Sequence, residues 1–225
     1  MRLILKIGGS ILFENGNISL KLIESWVTTI NHLRGLGHEI GIVVGGGIYA
    51  RKYSLAAKKL GANSSYQDLI GIEVARQNAR LFISALRDAY PHPPKDYQEL
   101  IAAHSSNNLI VLGGFHPGQS TNAVAAIFAE YVEADYLFNL SNITHVYDKD
   151  PSKFSDAKPL DRLTYSELSE IIKKNQQSPG KYALFDTVGM GIVERSGIKL
   201  VFLDGHQPQF LLDTLEGKSR GTTVE

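Results

Sequence analysis

Three times in this chain a short apolar run ends in glycines and passes straight into a helical pattern. Leu3 to Ile7 runs into Gly8-Gly9-Ser10, Ile40 to Val44 into Gly45-Gly46-Gly47, and Leu109 to Leu112 into the loop Gly113 to Gly118. Continuous apolar runs of this length suit strands buried on both faces, which occur where helices cover a parallel sheet. The device confines the chain to an α/β fold: a three-layer αβα sandwich with a mostly parallel central sheet. In such sheets ligands sit beyond the carboxyl ends of the strands, where all three glycine clusters fall.

The rest of the pattern agrees. From Ser19, the residues Ile23, Trp26, Val27, Ile30 and Leu33 recur at helical spacing, and Gly35 and Gly37 stop that helix. Further helices are predicted over Tyr49 to Leu60, Gln67 to Tyr90 (ended by Pro91, Pro93 and Pro94), Tyr97 to Ala103 and Asn122 to Glu133. Thr164-x-x-Glu167 reads as a capping box opening a helix to Asn175, and later helices span Asp186 to Ser196 and Gln209 to Glu216. Tyr136 to Leu140, Lys199 to Leu203 and Thr222 to Val224 are strands, Ser141 to Pro159 is irregular, and Asn175 to Gly180 is expected to be a mobile loop.

Charge and residue usage narrow the chemistry. Lys+Arg and Asp+Glu both number 23, so no global positive field draws the chain to nucleic acid or an anionic membrane. Any anion must be met by local groups. Cysteine is absent, which excludes disulfides, thiolate metal sites and a cysteine nucleophile. No stretch approaches the ~18 to 20 apolar residues of a membrane span, and a cytoplasmic location is expected.

Glycines between a strand and a helix let the backbone approach a ligand, and the helix start beyond adds free amides and a partial positive charge. One such turn is weak evidence, but three suggest a polyphosphate spread over the sheet edge, or two phosphorylated ligands facing each other. Phosphoryl transfer asks the protein mainly for positioning and for positive charge where the transition state spreads negative charge. The loop Gly113 to Thr121 runs into its helix without the Gly-Lys-Ser/Thr of a phosphate loop, so the charge must come from elsewhere. Lys6, in an apolar strand two residues before a glycine turn, is the leading source; the competing reading is a strand-edge lysine reaching solvent. Arg51, one helical turn beyond Gly47, either leans over the turn toward a phosphate or is a solvated helix residue.

The segments "LKIGGS", "VVGGGIYARKY", "YQDLIGIEVARQNA", "LGGFHPGQSTNAVAA", "VYDKDP", "IVERSGIK" and "GTTVE" together resemble the amino acid kinase family, and most closely its archaeal uridylate kinase branch. The resemblance covers nearly the whole chain. It implies a single domain with an acceptor-binding lobe over about 1–135 and an ATP-binding lobe over about 136–225. It implies Mg²⁺-dependent transfer of the γ-phosphoryl group of ATP to UMP. Catalysis would fall to Lys6 and to Asp186, which orients the lysine and the metal-bound phosphates. Gly9, Ser10, Gly47, Arg51, Ser141, Asn142, Tyr147 and Asp150 would bind ATP, with no protein side chain assigned to the metal. Gly46, Asp68 and the loop Phe115, His116, Pro117, Gly118, Gln119, Ser120 and Thr121 would bind UMP. By their residue types alone, Asp68 suits the start of a helix and Asp186 an N-cap. His116 and His145 are read as hydrogen-bonding or solvated loop residues, not as metal ligands or bases.

The resemblance further implies a homohexamer built from dimers, for which the apolar stripe from Ile23 to Ile30 offers either a contact face or ordinary core. Other readings keep the fold but change the acceptor, to isopentenyl phosphate or an acyl carboxylate, or keep nucleotide binding without turnover. The HPGQST segment and Asp68 favour a nucleotide acceptor, and no histidine follows the Gly45-Gly46-Gly47 cluster as an isopentenyl phosphate site would imply. Two segments depart from the family's pattern. Thr144-His145 stands where relatives carry Asp-Gly, and Gly189-Met190-Gly191 stands where they carry an alanine and then a lysine near 191. Thr-His cannot take positive φ cheaply, and the two glycines are expected to loosen their helix by ~1 kcal/mol each.

Overall fold

The computed structural model describes residues 1–106, 108–176 and 184–225. Strand β1 (Arg2–Ile7) precedes a hairpin of β2 (Phe13–Glu14) and β3 (Asn17–Ile18), then helix α1 (Leu20–Gly35) and strand β4 (Glu39–Val44). Helices α2 (Gly47–Lys59), α3 (Ser64–Ala85) and α4 (Tyr97–His104) lead to β5 (Ile110–Leu112), α5 (Thr121–Tyr131) and β6 (Tyr136–Ser141). There follow β7 (Val146–Tyr147), β8 (Pro159–Leu160), β9 (Arg162–Leu163), α6 (Tyr165–Gln176), α7 (Thr187–Ser196), β10 (Lys199–Asp204), α8 (Pro208–Leu215) and β11 (Thr222–Val224).

The main sheet has the order β5-β4-β1-β6-β10-β11-β9, and its strands pair in parallel except for β10 with β11. Alternation along the strands divides the core into two layers. Leu3, Leu5 and Ile7 of β1 join Trp26 and Ile30 of α1 and Phe82 of α3 on one face. Ile4 joins Val124 and Phe128 of α5 and Met190 of α7 on the other. This is the αβα sandwich that the strand and helix pattern predicts. The apolar stripe of α1 is core: Ile23, Trp26 and Ile30 are buried, and the Trp26 indole donates to the Gly205 carbonyl at 2.8 Å. Among the described residues no helix is long and apolar enough to cross a membrane.

Several boundaries differ from expectation for identifiable reasons. Helix α3 ends at Ala85, before the prolines, because the chain turns extended at Leu86 and left-handed at Asp88 and then runs beside β5. There Tyr90 N–H donates to the Leu109 carbonyl at 2.8 Å, and Leu109 N–H to the Asp88 carbonyl at 3.0 Å. The β2–β3 hairpin went unread, although Asn15-Gly16, both at positive φ, is the dipeptide such two-residue turns favour. Within the stretch read as irregular, β7 and β8 pair antiparallel. The capping box at Thr164 and Glu167 forms as expected, with reciprocal bonds of 2.8 and 3.3 Å. Of the loop expected over Asn175 to Gly180, residues 175 and 176 close α6, and the remainder lies outside the described residues.

The two glycines of α7 are not equivalent. A Cβ on Gly189 would lie 2.8 Å from the Phe185 ring and 3.3 Å from the Ala123 backbone, so the absent side chain lets α7 approach the start of α5. A Cβ on Gly191 would meet nothing within 4 Å. We therefore expect Gly191→Ala to raise stability by about 1 kcal/mol and Gly189→Ala to lower it, as read by urea denaturation.

Candidate functional site

Because β5, β4 and β1 are neighbours in the sheet, the three glycine turns are neighbours at its carboxyl edge. Two of them interlock. A Cβ on Gly9 would lie 2.2 Å from the Gly45 carbonyl oxygen, and one on Gly47, which sits at φ +66°, would lie 2.2 Å from the Gly9 carbonyl oxygen. No larger residue fits either position, so these glycines serve the contact between turns as well as any ligand. Ser10 and Gly46, the residue preceding α2, lie at the same junction. The Asn78 side chain of α3 fixes the Gly45 carbonyl at 2.8 Å.

Helix α3 also holds the third loop. Buried Arg76 donates to the carbonyls of Gly114, Phe115 and Lys95 at 3.1, 3.2 and 3.0 Å, and pairs with Glu73 at 2.7 Å. Asp68 accepts the Gly118 N–H at 2.9 Å, so its carboxylate ties α3 to the loop and is not spent on its own helix. Phe115 is buried, while His116, Pro117 and Gly118 are exposed. The Gln119 N–H returns to the His116 carbonyl at 3.2 Å, and Thr121 begins α5 with its hydroxyl beside Gly45. Ser120 caps α5, accepting from Asn122 and Ala123 N–H at 3.0 and 3.1 Å.

The Ser120 hydroxyl donates its own proton to Asp186 at 2.5 Å. Asp186 in turn caps α7 through the Gly189 N–H at 2.9 Å, as its residue type suggested. Two helix starts thus converge on one hydrogen bond. Facing them is Lys6 on β1, which keeps only part of its side chain exposed. Burial lowers the Lys6 ammonium to about 8, against the opposing pull of the Asp186 carboxylate. The strand-edge reading of Lys6 fails, because β1 lies between β4 and β6.

On the other side of β1, Ser141 closes β6 and its carbonyl accepts from Gly205 at 2.7 Å, and Asn142 is exposed just beyond. Tyr147 on β7 meets the Thr144 hydroxyl at 3.3 Å. Asp150 accepts from the backbone and hydroxyl of Ser152 at 3.0 and 2.7 Å, and these bonds hold its carboxyl below the usual range. The Thr144-His145 departure is accommodated without positive φ at either residue, and His145 lies 3.6 Å from Asp161. Arg51 is exposed on α2 and has no ion pair among the described residues.

One deep row of glycine turns, one central lysine and one capping carboxylate form an arrangement suited to passing a phosphoryl group between two phosphates. Residues 1–204 match the Amino acid kinase family. This chain belongs to that family. The uridylate kinase of Methanothermobacter thermautotrophicus is 40% identical over 225 residues, spanning 100% of this chain and 99% of that protein. That of Methanobrevibacter smithii is 39% identical with the same coverage of 100% and 99%. The crystal structure of uridylate kinase from Archaeoglobus fulgidus matches with a TM-score of 0.88 at 34% identity, covering 100% of both chains.

Within this amino acid kinase, sequence reasoning missed Arg76 and Asn78. Both are polar residues on the inward side of a long helix, a signal visible as "ARQNA" but not interpretable without knowing what the helix faces. The burial of Lys6 yields a stability prediction. An ammonium at about 8 in the fold and at the ordinary 10.5 in the unfolded chain is held at a cost wherever both states are charged, below pH 8. The cost fades as pH rises from 8 to 10.5. Lys6→Met is expected to stabilise the fold by on the order of 2–3 kcal/mol at neutral pH. Thermal melts across pH should show that gain disappearing above pH 10.5.

Proposed function

We propose that this amino acid kinase transfers the γ-phosphoryl group of ATP to UMP, releasing ADP and UDP, and so serves pyrimidine nucleotide synthesis. The observation that carries the reading is Lys6 on the central strand β1, between two halves of the sheet edge, in a chain matched along its full length by uridylate kinases. UMP occupies the side built from β4, β5 and α3, where Gly46, Asp68 and Phe115 to Thr121 lie. ATP occupies the side built from β6 and its following loop, where Ser141, Asn142, Tyr147 and Asp150 lie, with Gly9, Ser10, Gly47 and Arg51 at the phosphates between.

The UMP phosphate oxygen attacks the γ-phosphorus in line while the bond to the ADP oxygen breaks. Lys6 neutralises charge spreading over the transferred group, and a partly buried ammonium acts with little screening by water. Asp186 orients it. Because the one proton of Ser120 is given to Asp186, Ser120 meets UMP through its backbone amide, and Thr121 keeps its hydroxyl for the acceptor. No protein side chain is assigned to Mg²⁺, which would arrive carried on the ATP phosphates. When bound, Mg²⁺ would offset the negative charge of the donor phosphates. The assembly is a homohexamer, which light scattering on the eluted protein would verify.

A coupled ADP-release assay over UMP, CMP, dUMP, isopentenyl phosphate and carboxylates tests the reading. Release dependent on UMP is expected, and a folded protein with none for any nucleotide would overturn it. Lys6→Ala should lower kcat by at least ~100-fold with modest change in UMP binding. Since the charged lysine is the active form, kcat/KM should fall as pH rises through about 8, and Asp186→Asn should move that fall to lower pH. Arg76→Ala should raise KM for UMP on the order of 10-fold while leaving KM for ATP within about 3-fold, because the Gly114 and Phe115 carbonyls it releases belong to the acceptor loop and none of its partners lies on the ATP side.

A further inference from the structure

Across the sheet, Val43, Lys6, Asn139 and Phe202 stand in register on adjacent strands. In-register neighbours present their side chains to the same face, and Ile4 and Leu137, two residues earlier on β1 and β6, both belong to the core under α5 and α7. Two polar residues therefore sit side by side in a row that is otherwise apolar. Asn139 is only 1% exposed, yet it lies on a core strand with its side chain amide half used. Its Nδ2 donates to the Leu184 carbonyl at 3.2 Å, and its Oδ1 has no hydrogen-bond partner among the described residues.

A buried amide oxygen without a partner costs free energy comparable to a lost hydrogen bond, so its presence calls for an occupant. An ammonium carries three donors, and in a site closed around nucleotides each needs an acceptor. For Lys6 the transferred phosphoryl group supplies one and Asp186 a second. Strands β4 and β6 set Val43 and Asn139 in register with Lys6, and α7 brings Asp186, which the start of α5 meets through Ser120. Of these only Asp186 brings a charge that acts on it. The third acceptor in register with Lys6 is the Asn139 oxygen.

We infer that Asn139 is a positioning residue of the transfer step. Its nitrogen anchors the segment Leu184 to Asp186, and its oxygen takes a hydrogen bond from the Lys6 ammonium when Lys6 turns in toward the phosphoryl group. One amide thereby fixes the distance between the cation and its orienting carboxylate. The inference rests on the phosphoryl-transfer reading above, but not on which acceptor receives the group.

The test compares wild type with Asn139→Leu, which keeps the side chain's bulk and removes both polar atoms. Two quantities are read: titration of the Lys6 Nζ by nuclear magnetic resonance in isotope-labelled protein holding Mg–ATP without acceptor, and the pH profile of kcat/KM for UMP. The Lys6 titration and the alkaline fall in rate should both move to lower pH by on the order of one unit. In addition kcat should drop on the order of 10-fold while KM for each nucleotide stays within about 3-fold. Should the leucine variant fail to fold, Asn139→Ser removes the same acceptor with less disturbance and should shift both readouts the same way. A folded variant whose Lys6 titration is unmoved overturns the inference. A shifted titration in a protein with no UMP-dependent turnover upholds the placement of Asn139 and removes the UMP reading instead.

Discussion

A lysine ammonium must stay charged inside a sheet whose surroundings favour its loss, and the architecture around it answers that demand. Lys6 is drawn down to about 8 by burial, and the Asp186 carboxylate is the group that resists. That carboxylate is itself immobilised, accepting from the Gly189 N–H and the Ser120 hydroxyl. The contact between α5 and α7 that makes this geometry available depends on Gly189 having no side chain. A residue that looks in isolation like a helix weakness is the reason the two helix starts can share a hydrogen bond.

Helix α3 plays the corresponding part for the loop after β5 and the turn after β4. Asp68, Arg76 and Asn78 reach from one rigid element to Gly118, to the carbonyls of Gly114 and Phe115, and to Gly45. Backbone carbonyls at the ends of buried strands have no ladder partner and must be satisfied by side chains. Arg76 does this for Gly114 and Phe115 at once and takes the Lys95 carbonyl as well, because its planar fork presents several donors in fixed directions.

The strand, glycine and helix device was legible because it is local: apolar runs, turn residues and helical spacing identify β1, β4, β5 and the helices beyond them. The capping box at Thr164 and the N-cap at Asp186 were legible for the same reason. What escaped depends on contacts distant in sequence. The end of α3 is set by pairing of residues 88–90 with Leu109 and not by the prolines, and Arg76 and Asn78 have meaning only once the loops they face are placed. Asn139 looks like one polar residue in "YLFNLS", and its pairing with Lys6 is a property of strand register, which no local pattern carries. The Thr144-His145 departure promised strain that does not arise, because neither residue stands at positive φ.

The interlock of Gly9 with Gly45 and Gly47 bears on how the molecule moves. With backbone against backbone at this point, the turn after β1 and the turn after β4 form one mechanical body. The two turns cannot part by hinging there. On the proposed reading, breathing that admits and releases nucleotides is left to the periphery, to α2 and α3 on the UMP side and to the segment after β6 on the ATP side. The two substrates can then exchange independently while the distance between their phosphates, on which an in-line transfer depends, is held constant.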